Sequence, residues 1–351
     1  MIEQGDSEGA VEAGRSAASS VEALPAAAGA ATAPLPATAA TGADAAAAAP
    51  LPAVLAIGVF DGLHRGHRYL LDRTLADARE RGLPAWVLTF NCDPDELFKP
   101  AEQLAKLSTN AERLARLEQS GVDGVWAVNF NAKLAALEPR AFLNNVVAGA
   151  FLPQAIHVGA DFRFGASGSG SADELRRWGR AAGCAINAHQ LLCNSGQPIT
   201  ATRIRNLLAG GDVQTAAELL QKPYRVCATV VAGRHVGTAL GFPTANLAID
   251  PALAKVADGV YAALAYLPDG RRCPAAVSVG VPATFGDLPA TTEATLLDYP
   301  ADAGDLYGED IILAYYRYLR PMQAFAGVEE LKAAIAHNVV QTRELFADGL
   351  P

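Results

Sequence analysis

The spacing of hydrophobic positions divides the chain into three stretches of different texture. From residue 53 short apolar runs alternate with longer segments of helical period. Residues 54–57, 85–90, 125–129, 156–159 and 184–188 read as buried strands. Arg65–Arg81, 140–150 and Ala172–Ala182 read as helices. Gly82 supplies a stop for the first helix, and Thr109-Asn110-Ala111-Glu112 fits a capping box that opens another. Strands alternating with helices of this length predict a parallel, doubly wound α/β sheet. Two short helices over 202–209 and 212–220 close this half; Gly210-Gly211 separates them and Asp212 is placed to cap the second.

After Lys222-Pro223 the helical period disappears. Residues 225–232, 260–267, 274–279, 292–297 and 311–319 are strand-like, with Gly, Pro and Asp between them. Strands without intervening helices predict a small antiparallel barrel or sandwich. One amphipathic helix over 328–346 follows, with Val328, Leu331, Ile335, Val339 and Leu345 near helical spacing. The opening stretch is different again. It is mostly Ala, with Gly, Pro, Ser and Thr, and lacks the large side chains that build a core. The expected organisation is a disordered tail over 1–52, a doubly wound domain over 53–221 and a β-barrel domain over 222–351.

Composition narrows the function classes. Glu3, Asp6 and Glu8 stand where a secretory signal would carry basic residues, and five prolines between 25 and 52 oppose a membrane span. A formal charge of −9 removes the footprint of a general nucleic-acid binder, while leaving room for a nucleotide in one local site. The partners expected are therefore small molecules, with no nucleic acid and no membrane. Cys92, Cys184, Cys193, Cys227 and Cys273 are scattered and form no Cys-x-x-Cys. Buried thiols in a cytoplasmic, reducing setting are expected rather than zinc or disulfides.

The densest chemical signal is Ile57-Gly58-Val59-Phe60-Asp61-Gly62-Leu63-His64-Arg65-Gly66-His67, at the junction of a predicted strand and helix. Gly58 and Gly62 allow close backbone approach, and a helix N-terminus favours an anion. His64 and His67 share one face of the first turn, where two imidazoles can bond phosphate oxygens as charge develops at phosphorus.

This segment resembles the His-x-Gly-His signature of the nucleotidylyltransferases. Val158-Gly159-Ala160-Asp161-Phe162-Arg163-Phe164-Gly165 and Ile199-Thr200-Ala201-Thr202-Arg203-Ile204-Arg205 are similar to two further motifs of the bacterial bifunctional riboflavin kinase/FMN adenylyltransferases. In the second half Leu240-Gly241-Phe242-Pro243-Thr244-Ala245-Asn246, Gly259-Val260-Tyr261 and Gly304-Asp305-Leu306-Tyr307-Gly308 match the riboflavin kinase part of that family. The resemblance runs from about residue 53 to the C-terminus in the family's order. It implies a Rossmann-like nucleotidylyltransferase domain, then a riboflavin kinase barrel, which together convert riboflavin to FMN and FMN to FAD with ATP.

By the same resemblance Gly58, Phe60, Gly62, His64, His67, Thr202 and Arg205 would bind the ATP phosphates of the first half. Asp161, Phe162 and Phe164 would shape its nucleotide and flavin pocket. Gly241, Thr244 and Asn246 would bind ATP in the second half, Thr244 and Asn246 through Mg²⁺, and Glu293 would be the general base. A hydroxyl and an amide carbonyl suit this hard cation. No Gly-x-x-x-x-Gly-Lys-Ser/Thr occurs, so neither half is a P-loop kinase.

Several positions depart from the family pattern. Asp93 replaces a histidine, and a carboxylate there would repel phosphates. Ala201 replaces a serine, residues 165–171 lack a basic side chain, and Thr238, Pro282, Thr295 and Met322 replace Arg, Arg, His and Glu. These departures leave two alternatives beside the bifunctional enzyme. Only the kinase half is active, or the chain binds flavin or nucleotide without turnover.

Overall fold

The structure is a computed structural model that describes residues 49–233, 241–281, 290–300 and 303–351. Most of the expected tail, together with Thr238 and Pro282, lies outside the described residues.

The first half is a five-stranded parallel sheet. Its strands are β1 (Leu51–Ile57), β2 (Ala85–Phe90), β3 (Gly124–Val128), β4 (Phe151–Gly159) and β5 (Ala185–His189). Their order is β3-β2-β1-β4-β5, with β1 paired to both β2 and β4. Val54, Leu55 and Ala56 are fully buried, as a central parallel strand covered on both faces must be. β1 begins at Leu51, inside the stretch assigned to the tail. Pro52 cannot donate to a ladder, and the β1–β4 register slips between Ala53 and Val54 just beyond it.

Helix α1 (Arg65–Arg81) buries Leu70, Leu71, Thr74 and Ala78 and ends at Gly82 in the left-handed region. Thr109 caps α2 (Asn110–Glu118) by accepting from the Glu112 amide. Glu112 does not return the bond, and its carboxylate pairs instead with Lys222 at 2.7 Å. The expected helix over 140–150 is interrupted by a π-helical turn, Phe142–Val147, that turns Phe142, Leu143 and Val147 into the core. Helices α3 (Ala172–Ala182), α4 (Ala201–Ala209) and α5 (Val213–Leu220) complete this half, with Ser171, Thr200 and Asp212 as caps.

The second half is a closed six-stranded barrel. Its strands are β6 (Tyr224–Val231), β7 (Ala245–Ile249), β8 (Gly259–Tyr266), β9 (Arg272–Gly280), β10 (Thr291–Leu296) and β11 (Asp310–Arg320), in the order β6-β7-β10-β9-β8-β11. Closure removes the exposed edges that an open sheet would carry. β7 was absent from the sequence expectation, because Leu247 alone among its five residues is buried. Helix α6 (Val328–Leu345) packs on β8 and β9. It buries Val339 as expected, whereas Val328 is exposed.

All five cysteines are free thiols. Cys184 and Cys273 are buried, but Cys193 and Cys227 are exposed, which corrects the expectation of buried thiols throughout.

Candidate active site

The order of the parallel sheet reverses at β1, so the crossovers after β1 and β4 leave in opposite directions and open a crevice at the strands' C-terminal ends. A cavity of about 340 Å³ occupies it. Gly58, Phe60, His64 and His67 line it after β1, and Asp161 and Phe162 after β4. Thr202 lines it from the start of α4.

The loop from β1 to α1 is tightly wound. Phe60 and Leu63 hold left-handed conformations at φ +61° and +44°, with Gly62 at +68° between them. A side chain on Gly62 would strike Leu107, so glycine is required by space as well as by conformation. Beneath the loop the buried Asp61 carboxylate accepts the Leu107 amide at 3.0 Å and the Arg205 guanidinium at 2.7 Å. Burial raises the Asp61 carboxyl above its usual range, against the lowering effect of Arg205 and the Leu107 amide. Arg116 donates to the Gly62 carbonyl at 2.9 Å and holds the loop from its other side.

His64 caps α1, its Nδ1 accepting the His67 amide at 3.3 Å. The two imidazoles stack with centroids 3.7 Å apart and planes 15° from parallel. Burial lowers the His64 pKa to about 4, helped by the nearby Arg205 cation. It drives His67 well below its ordinary value, with His64 and Arg116 adding to the effect. Both rings are therefore neutral at pH 7. Because His64 Nδ1 accepts, its Nε2 carries the proton and is a donor. Among the described residues His67 Nδ1 is buried without a hydrogen-bond partner, a polar atom left for a ligand to satisfy.

Several expected residues lie elsewhere. Arg205 does not line the cavity; Asp61 and the Ala105 carbonyl hold its guanidinium. Gly62 lies within the loop but faces Leu107 and Leu220 rather than the cavity. Phe164 is buried, stacked on Phe162 and packed against Phe142, so only Phe162 of the two reaches the cavity. Asp93 caps the short helix Pro94–Leu97, accepting the Asp95 amide at 2.9 Å, which gives its carboxylate a local backbone partner. Tyr69, His189, Gln190, Leu191 and Leu192 also line the cavity and were missed in the sequence. The signal available for His189 was its place at the C-terminal end of a predicted parallel strand.

In the barrel, Asn246 of β7 lies directly across from Glu293 of β10, which lies across from Ser278 of β9. Directly opposed residues share a sheet face, so the three make one polar row. Inward-facing Leu247, Ala294 and Val277 alternate with them, which puts the row on the outer face. Asn246 packs over Gly233, where any side chain would collide with its amide. Glu293 accepts from the Thr291 hydroxyl at 3.4 Å, and the Ser278 hydroxyl reaches the Met322 sulfur at 3.5 Å. Thr244 immediately precedes β7, and Gly241 is exposed at φ +85°. A second cavity, of about 510 Å³, lies at the barrel mouth and is lined by Asn246, Asp250, Asp258, Thr291 and Thr292. Glu293 and Thr244 are not on its wall, so the polar row and this cavity meet only at Asn246.

Comparison with known proteins covers both sites. Residues 47–203 match the FAD synthetase family and residues 220–346 the riboflavin kinase family. The bifunctional riboflavin kinase/FMN adenylyltransferase of Escherichia coli K12 is 36% identical over 292 residues, covering 83% of this chain and 92% of that protein. The protein of the same name from Pseudomonas fluorescens is 35% identical over a similar span, and that from Listeria monocytogenes 31%. A crystal structure from Streptococcus pneumoniae, titled as a macrolide-efflux protein, superposes with a TM-score of 0.73 at 28% identity. It covers 84% of this chain and 94% of its own. No helix among the described residues is long and apolar enough to cross a membrane.

Proposed function

Since the chain belongs to the bifunctional riboflavin kinase/FMN adenylyltransferase family, we propose how its residues divide the two ATP-dependent steps that lead to FAD. The barrel half makes FMN from riboflavin and ATP. The parallel-sheet half makes FAD from FMN and ATP, releasing pyrophosphate.

For the second step, an FMN phosphate oxygen attacks the α-phosphorus of ATP while the bond to the bridging oxygen of pyrophosphate breaks. His64 and His67 donate to the phosphate oxygens as charge passes to the leaving group. Neutral imidazoles suit this task, because each offers a directed N–H without a competing proton equilibrium near pH 7. The open amides of α1 add their dipole, and the Thr202 hydroxyl reaches the same space from α4. Asp161 and Phe162 form the far wall. The observation that carries this reading is the stacked, neutral histidine pair at a helix N-terminus inside the switch-point cavity.

For the first step, Glu293 takes the proton of the riboflavin 5′-hydroxyl as that oxygen attacks the γ-phosphorus and the bond to the bridging oxygen breaks, releasing ADP. Thr244 and Asn246 would hold Mg²⁺. A hydroxyl and an amide oxygen are hard donors that this ion accepts beside substrate phosphates, which leaves the Glu293 carboxylate opposite Asn246 free to act as base. When bound, Mg²⁺ neutralises phosphate charge. Gly241 lies just ahead of Thr244 and would leave room for the phosphates. Free thiols, two of them exposed, support a cytoplasmic setting.

Purified protein incubated with ATP and Mg²⁺, first with riboflavin and then with FMN, should yield FMN and FAD respectively when the flavins are separated. Absence of both products overturns the proposal. FMN without FAD leaves the kinase half alone.

A further inference from the structure

One buried titratable cluster outside the residues used above borders the adenylylation cavity. His157, on β4 and 3% exposed, lies with Nε2 at 2.9 Å from an Asp77 oxygen of α1. Its Nδ1 lies 2.9 Å from Nε2 of His189, at the end of β5. The two rings stack with planes 15° apart. Arg81 donates to the other Asp77 oxygen at 2.6 Å, and the Asn187 amide nitrogen donates to the first at 3.4 Å while lying 3.2 Å from His157 Nε2. His189 is on the cavity wall, with Tyr69 edge-on against it at 5.9 Å. Among the described residues no hydrogen bond reaches His189 Nδ1.

The direction of each bond follows from the chemistry of its ends. A carboxylate only accepts, so His157 Nε2 carries a proton. A neutral imidazole then has a bare Nδ1, which accepts from His189 Nε2–H. A neutral His189 in turn has a bare Nδ1. Burial lowers the pKa of both rings; His157 and Arg73 lower that of His189 further. The carboxylate of Asp77 thus sets the polarity of an atom two imidazoles away.

We propose that Asp77 and His157 are positioning residues that present Nδ1 of His189 as a fixed hydrogen-bond acceptor to an N–H donor on the heterocycle of a bound substrate. Two groups in the reaction offer that chemistry: the exocyclic amine of adenine and the imide N–H of the flavin. The neighbouring Leu191, Leu192 and Phe162 supply an apolar wall for a flat heterocycle, while the phosphates lie toward His64 and His67. An acceptor of fixed sense recognises such a ring and rejects one that has lost the donor. This inference rests on the adenylylation reading given above.

The test uses the full chain and the rate of FAD formation. One arm compares ATP with purine riboside triphosphate, which lacks the 6-amino group. The other compares FMN with N3-methyl-FMN. Wild type should discriminate about tenfold or more, through KM, in one of the arms. His189→Phe should bring that ratio close to one, and His157→Leu, which leaves His189 in place, should shrink it. A residue that merely braces the fold would lower both rates and keep the ratio. Riboflavin phosphorylation by the same preparations checks that the chain is folded. Loss of the ratio in the adenine arm assigns the contact to ATP, and loss in the flavin arm to FMN. Should His189→Phe make no FAD, His157→Leu reads the same ratio. Unchanged ratios in the variants, or no discrimination by wild type in either arm, overturn the relay. A wild type that makes no FAD overturns the adenylylation reading instead.

Discussion

At the scale of single residues, His64 combines two tasks that can be separated. Its Nδ1 caps α1, and its ring lines the cavity. Asn is as good a cap but has no imidazole, so His64→Asn should fold while FAD formation falls by about 10²–10³-fold. FMN formation should stay unchanged, and a parallel loss of both activities would count against the assignment. The same variant isolates the pH dependence. In the fold His64 is half-protonated at about pH 4, against about 6.5 when unfolded. Between those values the unfolded chain binds the extra proton, so stability falls as pH drops from about 6.5 to 4. Denaturant titrations at pH 7 and pH 4 should show wild type losing more stability than His64→Asn, by an amount on the order of 3 kcal/mol. Equal losses would refute the depressed pKa. Arg205 raises a different question, because its guanidinium is held by Asp61 rather than open to the cavity. Arg205→Met should therefore cost about 3 kcal/mol of folding stability, as breaking a largely buried pair does. A residue acting only as a phosphate clamp would lower FAD formation at unchanged stability.

At the scale of elements, the polar row across β7, β10 and β9 gives the kinase half its own chemistry. Glu293→Gln keeps the shape of the row and removes the base. FMN formation from riboflavin should fall by about 10²–10⁴-fold. FAD formation from supplied FMN should persist, and its loss would mean that the steps do not belong to separate halves. How far these elements were legible in the sequence depended on how much apolar surface each one buries. Arg65–Arg81 and Ala85–Phe90 were read with their observed bounds, because a continuous core-facing pattern and Gly82 mark them. β7 was missed because the motif residues Ala245 and Asn246 open it and only one of its side chains is buried. The π-helical turn at Phe142–Val147 was invisible because its apolar residues also satisfy ordinary helical spacing. The site divided in the same way. His64 and His67 follow from local spacing, whereas the Asp61–Arg205 pair spans 144 residues and needs the fold. His189 had only its position at a strand end to mark it, and Asp93 became intelligible only as a cap.

At the scale of the whole molecule, the two halves are joined by more than a linker. One continuous hydrophobic core runs from Leu107, Ile204 and Leu208 through Val213, Leu219 and Leu220 to Tyr224, Tyr261 and Tyr315 inside the barrel. Backbone bonds cross the same boundary: Lys106 donates to Ala252 at 2.7 Å, Ala254 to Lys106 at 2.8 Å, and Ala257 to Leu208 at 2.9 Å. Helix α5, which ends the first half of the sequence, packs on β6 and β11 of the barrel. It packs on α4 as well, so the core beneath it is shared between the end of the first half and the barrel. Leu219 is fully buried in this shared region and distant in sequence from every residue assigned to catalysis. Leu219→Ala should cost about 2–5 kcal/mol through lost burial and the cavity left behind. Because the core is common, the cost should fall on both activities together. Calorimetry should show one unfolding transition moved to lower temperature, and heat inactivation of FMN and FAD formation should shift by the same amount. Two separate transitions, with only one displaced, would show that the halves unfold independently.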